Sequence, residues 1–187
     1  MSEVMQQLHQ DHVRVARLLR WLERQLDRFE AGERPDYERM RDTMHYLTHY
    51  TDLFHHPRED FIFEKLAAKD PSLADAVRRL RDDHVELAHL GERFYHTLEN
   101  ICEDIILPRE RVEAEGRAYI DTLYRHFNVE EGEIFPRAEA LLDGRHWAAL
   151  DRHLGFREDP LFGPEVEAQY ASLYERISDG AAQPPPR

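Results

Sequence analysis

The chain has 187 residues, 41% of them hydrophobic and 34% charged, and a net charge of −13 with its histidines neutral. That length suits one domain with a real core, and the composition is polar without being that of a disordered chain. The acidic balance leaves no electrostatic footprint for nucleic acid or anionic lipid.

An apolar run long enough to span a bilayer is missing, and the start MSEVMQQLHQDH is polar, so neither a membrane association nor a secretory signal is expected. A lone cysteine, Cys102, excludes an intramolecular disulfide and every Cys-rich metal motif. It is expected to be a small buried residue near a helix end. The simplest compartment is the cytoplasm.

Glycine, proline and cap residues divide the sequence into long segments. The first helix is predicted over 2–30, stopping at Ala31-Gly32, and Pro35-Asp36 opens a second that runs to about residue 69. Asp70-Pro71-Ser72 reads as a helix start, with the third helix continuing to about residue 104. Pro108 opens a fourth, which ends near residue 142 before Asp143-Gly144. A shorter helix over 145–154, a loop carrying Pro160, Gly163 and Pro164, and a last helix over 165–177 follow. No run of alternating β-branched residues reads as a strand. The expected fold is all-α: an antiparallel up-down-up-down four-helix bundle over residues 1–142, with a short C-terminal helical extension over 143–179 and a disordered tail over 180–187.

Twelve histidines are many for this length, and their phase is informative. The apolar stripe of the first helix reads Leu8, His12, Val15, Leu19, Leu22, Leu26, Phe29, and that of the third Leu73, Val77, Leu80, His84, Leu87, Gly91, Phe94, Leu98. The fourth reads Val112, Gly116, Tyr119, Leu123, His126, Glu130, Ile134. The second is less regular, with Met40, Met44, Leu47, Thr51, His55, Glu59, Ile62, Leu66. Counted from alternate ends of an antiparallel bundle, the polar interruptions fall at one level.

Four histidines and two carboxylates in one buried layer carry a penalty of several kcal/mol unless something binds them. A metal ion removes that penalty, and its ligand imidazoles must then be neutral. The His-x-x-x-acid spacing is weak by itself: it recurs at His55–Glu59, His56–Asp60 and His126–Glu130, about as often as chance provides. The coincidence of phase and level carries the expectation of a metal site at His12, His55, Glu59, His84, His126 and Glu130. Pro57 leaves the second helix ambiguous in phase, so His49 and His56 stay open as alternatives. The remaining histidines, His56 and His49 included by default, are expected at solvated or interfacial positions.

The stretch His55-His56-Pro57-Arg58-Glu59-Asp60-Phe61-Ile62-Phe63 resembles the second-helix motif of the hemerythrin-like, or HHE cation-binding, family. His126-Phe127-Asn128-Val129-Glu130-Glu131-Gly132-Glu133-Ile134-Phe135-Pro136 is similar to its fourth-helix motif. Leu8 to His12 and Asp82 to Ala88 resemble the histidine segments of its first and third helices. The resemblance implies a non-haem centre of two iron ions, with His12, His55, His84 and His126 as terminal ligands and Glu59 and Glu130 as bridges. Manganese or zinc would suit the same donors. Oxygen-carrying hemerythrins have a His-x-x-x-His pair on the third helix, whereas Ala88 stands four residues after His84 here. That substitution leaves coordination positions to water or another side chain.

The resemblance implies a protein that senses or responds to a small diatomic or peroxide ligand: oxygen, nitric oxide or peroxide. Alternatives are a di-iron enzyme (peroxidase-like, or donating iron to damaged iron centres), iron storage or sensing, and a metal-free helical interaction module. Glu131 and Glu133 are expected on a solvated face, and the aromatics Tyr46, Tyr50, Phe54, Tyr119, Tyr124 and Phe127 in the core. In the C-terminal segment, Leu150, Leu154, Phe156, Leu161, Phe162, Tyr170, Leu173, Tyr174 and Ile177 are too apolar for a free tail. They are expected to fold back on the bundle or form a homodimer contact.

Overall fold

A computed structural model describes residues 2–154 and 158–181, and among them there are helices and no strands. Helix α1 spans Glu3–Glu30, capped by Ser2, whose side chain accepts from the Met5 N–H. It ends where Gly32 takes a φ of 85°, a left-handed conformation that glycine adopts without strain. The second long rod is composite: α2 (Tyr37–Tyr46), a π-helical stretch (Leu47–His55) and α3 (His56–Lys69). A 3-10 turn at Pro71–Leu73 leads into α4 (Ala74–Cys102), so the regular helix begins later than the Pro71 signal predicts. The fourth rod is α5 (Arg109–Val129), a π-helical turn (Glu130–Ile134) and α6 (Phe135–Leu141). These four rods form the antiparallel all-α bundle, α4 lying against α2 and α5, and α1 against α5.

The second rod, irregular already in its apolar stripe, and the fourth both carry wide turns. In each, the N–H that closes the wide turn reaches five residues back, from His56 to Thr51 and from Phe135 to Glu130. A proline follows immediately in both, Pro57 and Pro136. Proline has no N–H for the carbonyl four residues earlier and its ring crowds that carbonyl, so the helix widens just before it.

Two stripe positions are glycine because rods meet there. A Cβ on Gly91 would lie 2.8 Å from Thr48 Cγ2, and one on Gly116 would lie 2.8 Å from Leu26 Cδ1 and 2.9 Å from Phe94 Cζ. The apolar core falls into two clusters. One contains Val15, Leu19, Tyr50, Leu87 and Leu123; the other contains Leu8, Ile62, Phe63, Leu80 and Ile134. On every rod the expected metal-binding positions lie between the two clusters.

Beyond the bundle, α7 (Gly144–Leu154) packs on α3, with Leu150 in the second cluster. Helix α8 (Ala171–Ala181) packs on α2, and Leu161, Tyr170 and Leu173 join the first cluster. The extension therefore contributes side chains to both halves of the core. Helix α8 reaches Ala181; residues 182–187, where most of the expected tail falls, and the expected packing of Phe156 lie outside the described residues, as does the side chain of Leu154. Cys102 closes α4 half-buried rather than buried. No helix among the described residues is long and apolar enough to cross a membrane.

Candidate metal centre

All six expected residues meet in one layer, and each is at most 7% exposed. Nε2 of His12 lies 3.0 Å from Nε2 of His55, and Nε2 of His84 lies 3.1 Å from Nε2 of His126. Two carboxylates span both pairs. Glu59 places Oε1 3.3 Å from His12 and 3.1 Å from His55, and Oε2 3.4 Å from His84. Glu130 places Oε1 3.0 Å from His126 and Oε2 3.5 Å from His12. Yet all four of these oxygens are buried without a hydrogen bond. Nitrogen and oxygen lone pairs converge on common points instead of pairing with one another.

The outer nitrogens explain why the inner ones cannot pair. Nδ1 of His12 donates to Glu131 Oε1 at 2.7 Å, Nδ1 of His55 to Asp11 Oδ2 at 3.2 Å, and Nδ1 of His84 to Asp60 Oδ1 at 3.1 Å. Nδ1 of His126 faces Asp83 Oδ2 at 3.8 Å, beyond hydrogen-bond reach. An ionised carboxylate only accepts, so the proton of a neutral ring sits on Nδ1 and the Nε2 lone pair faces inward. Two such lone pairs 3.0 Å apart repel unless a proton or a cation lies between them.

These carboxylates follow a pattern around the bundle. Asp11, beside His12, holds His55; Asp60, beside Glu59, holds His84; Asp83, beside His84, faces His126; Glu131, beside Glu130, holds His12. Each rod thus turns an acid toward a ring on the next, and three of the four acids are hydrogen-bonded to it. Glu131 was expected on a solvated face, but only Glu133 is exposed; Glu131 is drawn in by His12 and by His9, 3.0 Å from its other oxygen.

Charge in the layer is strongly perturbed. Burial alone would strip the histidines of protons, but the facing carboxylates outweigh it. His55 is pushed up to about 10 by Glu59 and Asp11 against burial. His84 is pushed up to about 11, chiefly by Asp60, Glu130 and Glu59, and His126 to about 9 by Glu130 and Asp83, both against burial. Burial likewise opposes the ionised Glu59, yet His55, His12 and His84 hold it well below the usual carboxylate range. Protons thus compensate the two carboxylates where a cation could do so.

The donors fit metal. Imidazole nitrogens with carboxylate oxygens suit iron, manganese or zinc. Two imidazoles bound at about 2.1 Å and at right angles on one ion stand about 3.0 Å apart, matching both pairs. Donor atoms of His12, His55 and Glu59 lie within 4.8 Å of one another, as do those of His56, Glu59, His84 and His126. Phe127 and Phe135 stack on the His12 ring, with centroids 4.0 and 5.3 Å away.

A family model for the hemerythrin HHE cation binding domain matches residues 4–138. The chain belongs to this family. Neither the curated proteins nor the solved structures contain a match to it. The match covers the four rods up to α6, leaving α7 and α8 beyond it.

Within the HHE domain the structure separates the two open alternatives. His49 is exposed, donates Nδ1 to the His45 carbonyl at 2.9 Å and takes no part in the layer. His56 is buried in the layer, against its default assignment to a solvated or interfacial position. His55 closes the π stretch and His56 opens α3, and both rings are buried at that junction. Pro57 was the one sequence signal for this. The supporting acids Asp11, Asp60 and Asp83 were missed because each acts across a rod boundary; their adjacency to a layer residue is the signal that could have found them.

An open groove of about 700 Å³ reaches the layer, lined by Asp52, His56, Asp60, His84 and Ala88 among others.

Proposed function

We propose that this HHE domain holds two iron ions between its histidine pairs and responds to a small diatomic or peroxide ligand, acting as a sensor or stress protein. The observation that carries the reading is the pair of fully buried carboxylates, Glu59 and Glu130, each facing histidines of both pairs with no hydrogen bond of its own. His12 and His55 would hold one ion, His84 and His126 the other, with both glutamates shared. Bound iron would supply redox activity and coordination positions for a small ligand. The protein's part is orientation. Asp11, Asp60 and Glu131 hold the rings of His55, His84 and His12 with Nε2 inward, and apolar clusters flank the layer.

The deciding measurement is metal per chain, with an optical spectrum, on protein produced with added iron, beside a His126→Ala, Glu130→Ala double variant. About two irons per chain with near-ultraviolet charge-transfer bands, both lost in the variant, support the reading. Changes in those bands on exposure to oxygen, nitric oxide or peroxide then distinguish the ligands. No metal above trace in the parent, with unchanged stability in the variant, would leave a helical interaction module. The groove beside His56 and His84 favours a second reading, an enzyme that turns over peroxide. Sustained peroxide consumption by the iron-loaded protein would select it over a sensor.

A further inference from the structure

Histidine His56 is 4% exposed, and its Nε2 is buried without a partner. Its Nδ1 faces Asp52 Oδ1 at 3.2 Å, so it is held as the other rings are, except that its acid comes from its own rod, one turn earlier across the π stretch. Its ring stacks on that of His84, with centroids 4.1 Å apart and planes 12° from parallel. One of its donor atoms lies within 4.8 Å of those of Glu59, His84 and His126. On α4, one turn after His84, the half-buried Ala88 lines the same groove and offers no donor.

We propose that His56 is a fifth histidine ligand, which reaches the metal position of His84 and His126 from the second rod and fills the place Ala88 leaves on α4. The centre is then unequal: His56, His84 and His126 on one side, His12 and His55 on the other, with Glu59 and Glu130 shared. A buried imidazole with one nitrogen tied to a carboxylate and the other unpartnered offers its second lone pair to a cation, whereas a structural histidine would satisfy both nitrogens. His55 and His56 stand at the junction of the π stretch and α3, and both rings are buried there.

The inference rests on the proposed two-iron centre and is tested on the full chain. The parent, His56→Ala, and the His56→Ala, Ala88→His double variant are loaded with iron and equilibrated with a competing chelator. Iron per chain and Mössbauer spectra are then recorded. The expected result is two inequivalent irons in the parent and a roughly 10- to 100-fold weaker hold on one of them in His56→Ala. The double variant should recover that iron, because a histidine at position 88 faces the same groove. Two irons with the parent's spectrum and chelator resistance in His56→Ala would overturn the proposal while leaving the two-iron reading intact. No iron in the parent would overturn both. Should the alanine variant not fold, as judged by far-ultraviolet circular dichroism, His56→Gln is read by the same criteria, since it keeps most of the side-chain volume.

Discussion

The hydroxyl of Tyr46 donates to Oδ2 of Asp159 at 3.1 Å, a buried bond that ties the end of α2 to the loop before α8. The other oxygen of Asp159 accepts from the backbone N–H groups of Leu161 and Phe162, and Arg14 reaches Oδ2 at 3.3 Å. Tyr46 also stacks on Tyr50, which donates to Asp11, the residue that holds His55. The C-terminal extension is thereby connected to the metal layer by hydrogen bonds and stacked rings.

Removing that hydroxyl should weaken the attachment. Tyr46→Phe is expected to destabilise the protein by about 1.5–3 kcal/mol, the range for a buried hydrogen bond to an acidic group. Urea denaturation of the two proteins checks it. A loss below about 0.5 kcal/mol would mean that the Tyr46 hydroxyl contributes little to holding the extension.

Close packing at the glycines predicts a different kind of loss. Gly116→Ala puts a methyl group against both Leu26 and Phe94, and should cost about 1–3 kcal/mol through overpacking. Gly132→Ala meets nothing within 4 Å and should be far milder. Thermal melts of the pair decide it; equal effects would show that helix propensity, and not contact, governs both sites.

Adjacent acids of the fourth rod should separate in their effect on metal. Glu131→Ala removes the partner of His12 Nδ1, and metal affinity should fall about 10- to 100-fold. Glu133→Ala alters an exposed residue and should leave affinity unchanged. Competition titration against a chelator measures both, and indistinguishable affinities would remove Glu131 from any orienting role.

Acid–base behaviour gives the last prediction. In the metal-free protein His55, His84 and His126 titrate near 10, 11 and 9, above their ordinary 6.5, so they carry protons at neutral pH. Their contribution to stability is complete below about pH 6.5 and is lost as the pH rises through 9 to 11. Burial and the neighbouring His84 push His56 down to about 3, so its contribution is present above 6.5 and is lost as the pH falls toward 3. Metal-free stability should therefore peak near neutrality, and metal binding there should release protons. Denaturation at several pH values, with metal titrations in weak buffer read by an indicator dye, tests both; no proton release at pH 7 would contradict the raised values.

Helical phase is a local property, so spacing alone carried the bundle and the layer: His12, His84, His126 and Glu130 fall on the apolar stripe by steps of three and four. Agreement in level followed from the antiparallel succession of rods of similar length. Three things depended on tertiary structure. The π stretches widen the helix just before Pro57 and Pro136, and an extra residue in a turn rotates everything after it by about 100°, which no regular period anticipates. His55 and His56 meet the layer together where one such stretch joins α3. The acids at the Nδ1 atoms reach across to the next rod, so their pairing is set by how the helices approach, a relation absent from any single stripe. Asp159 reads in sequence as one more loop acid, and only the docking of the extension on α2 buries it against Tyr46.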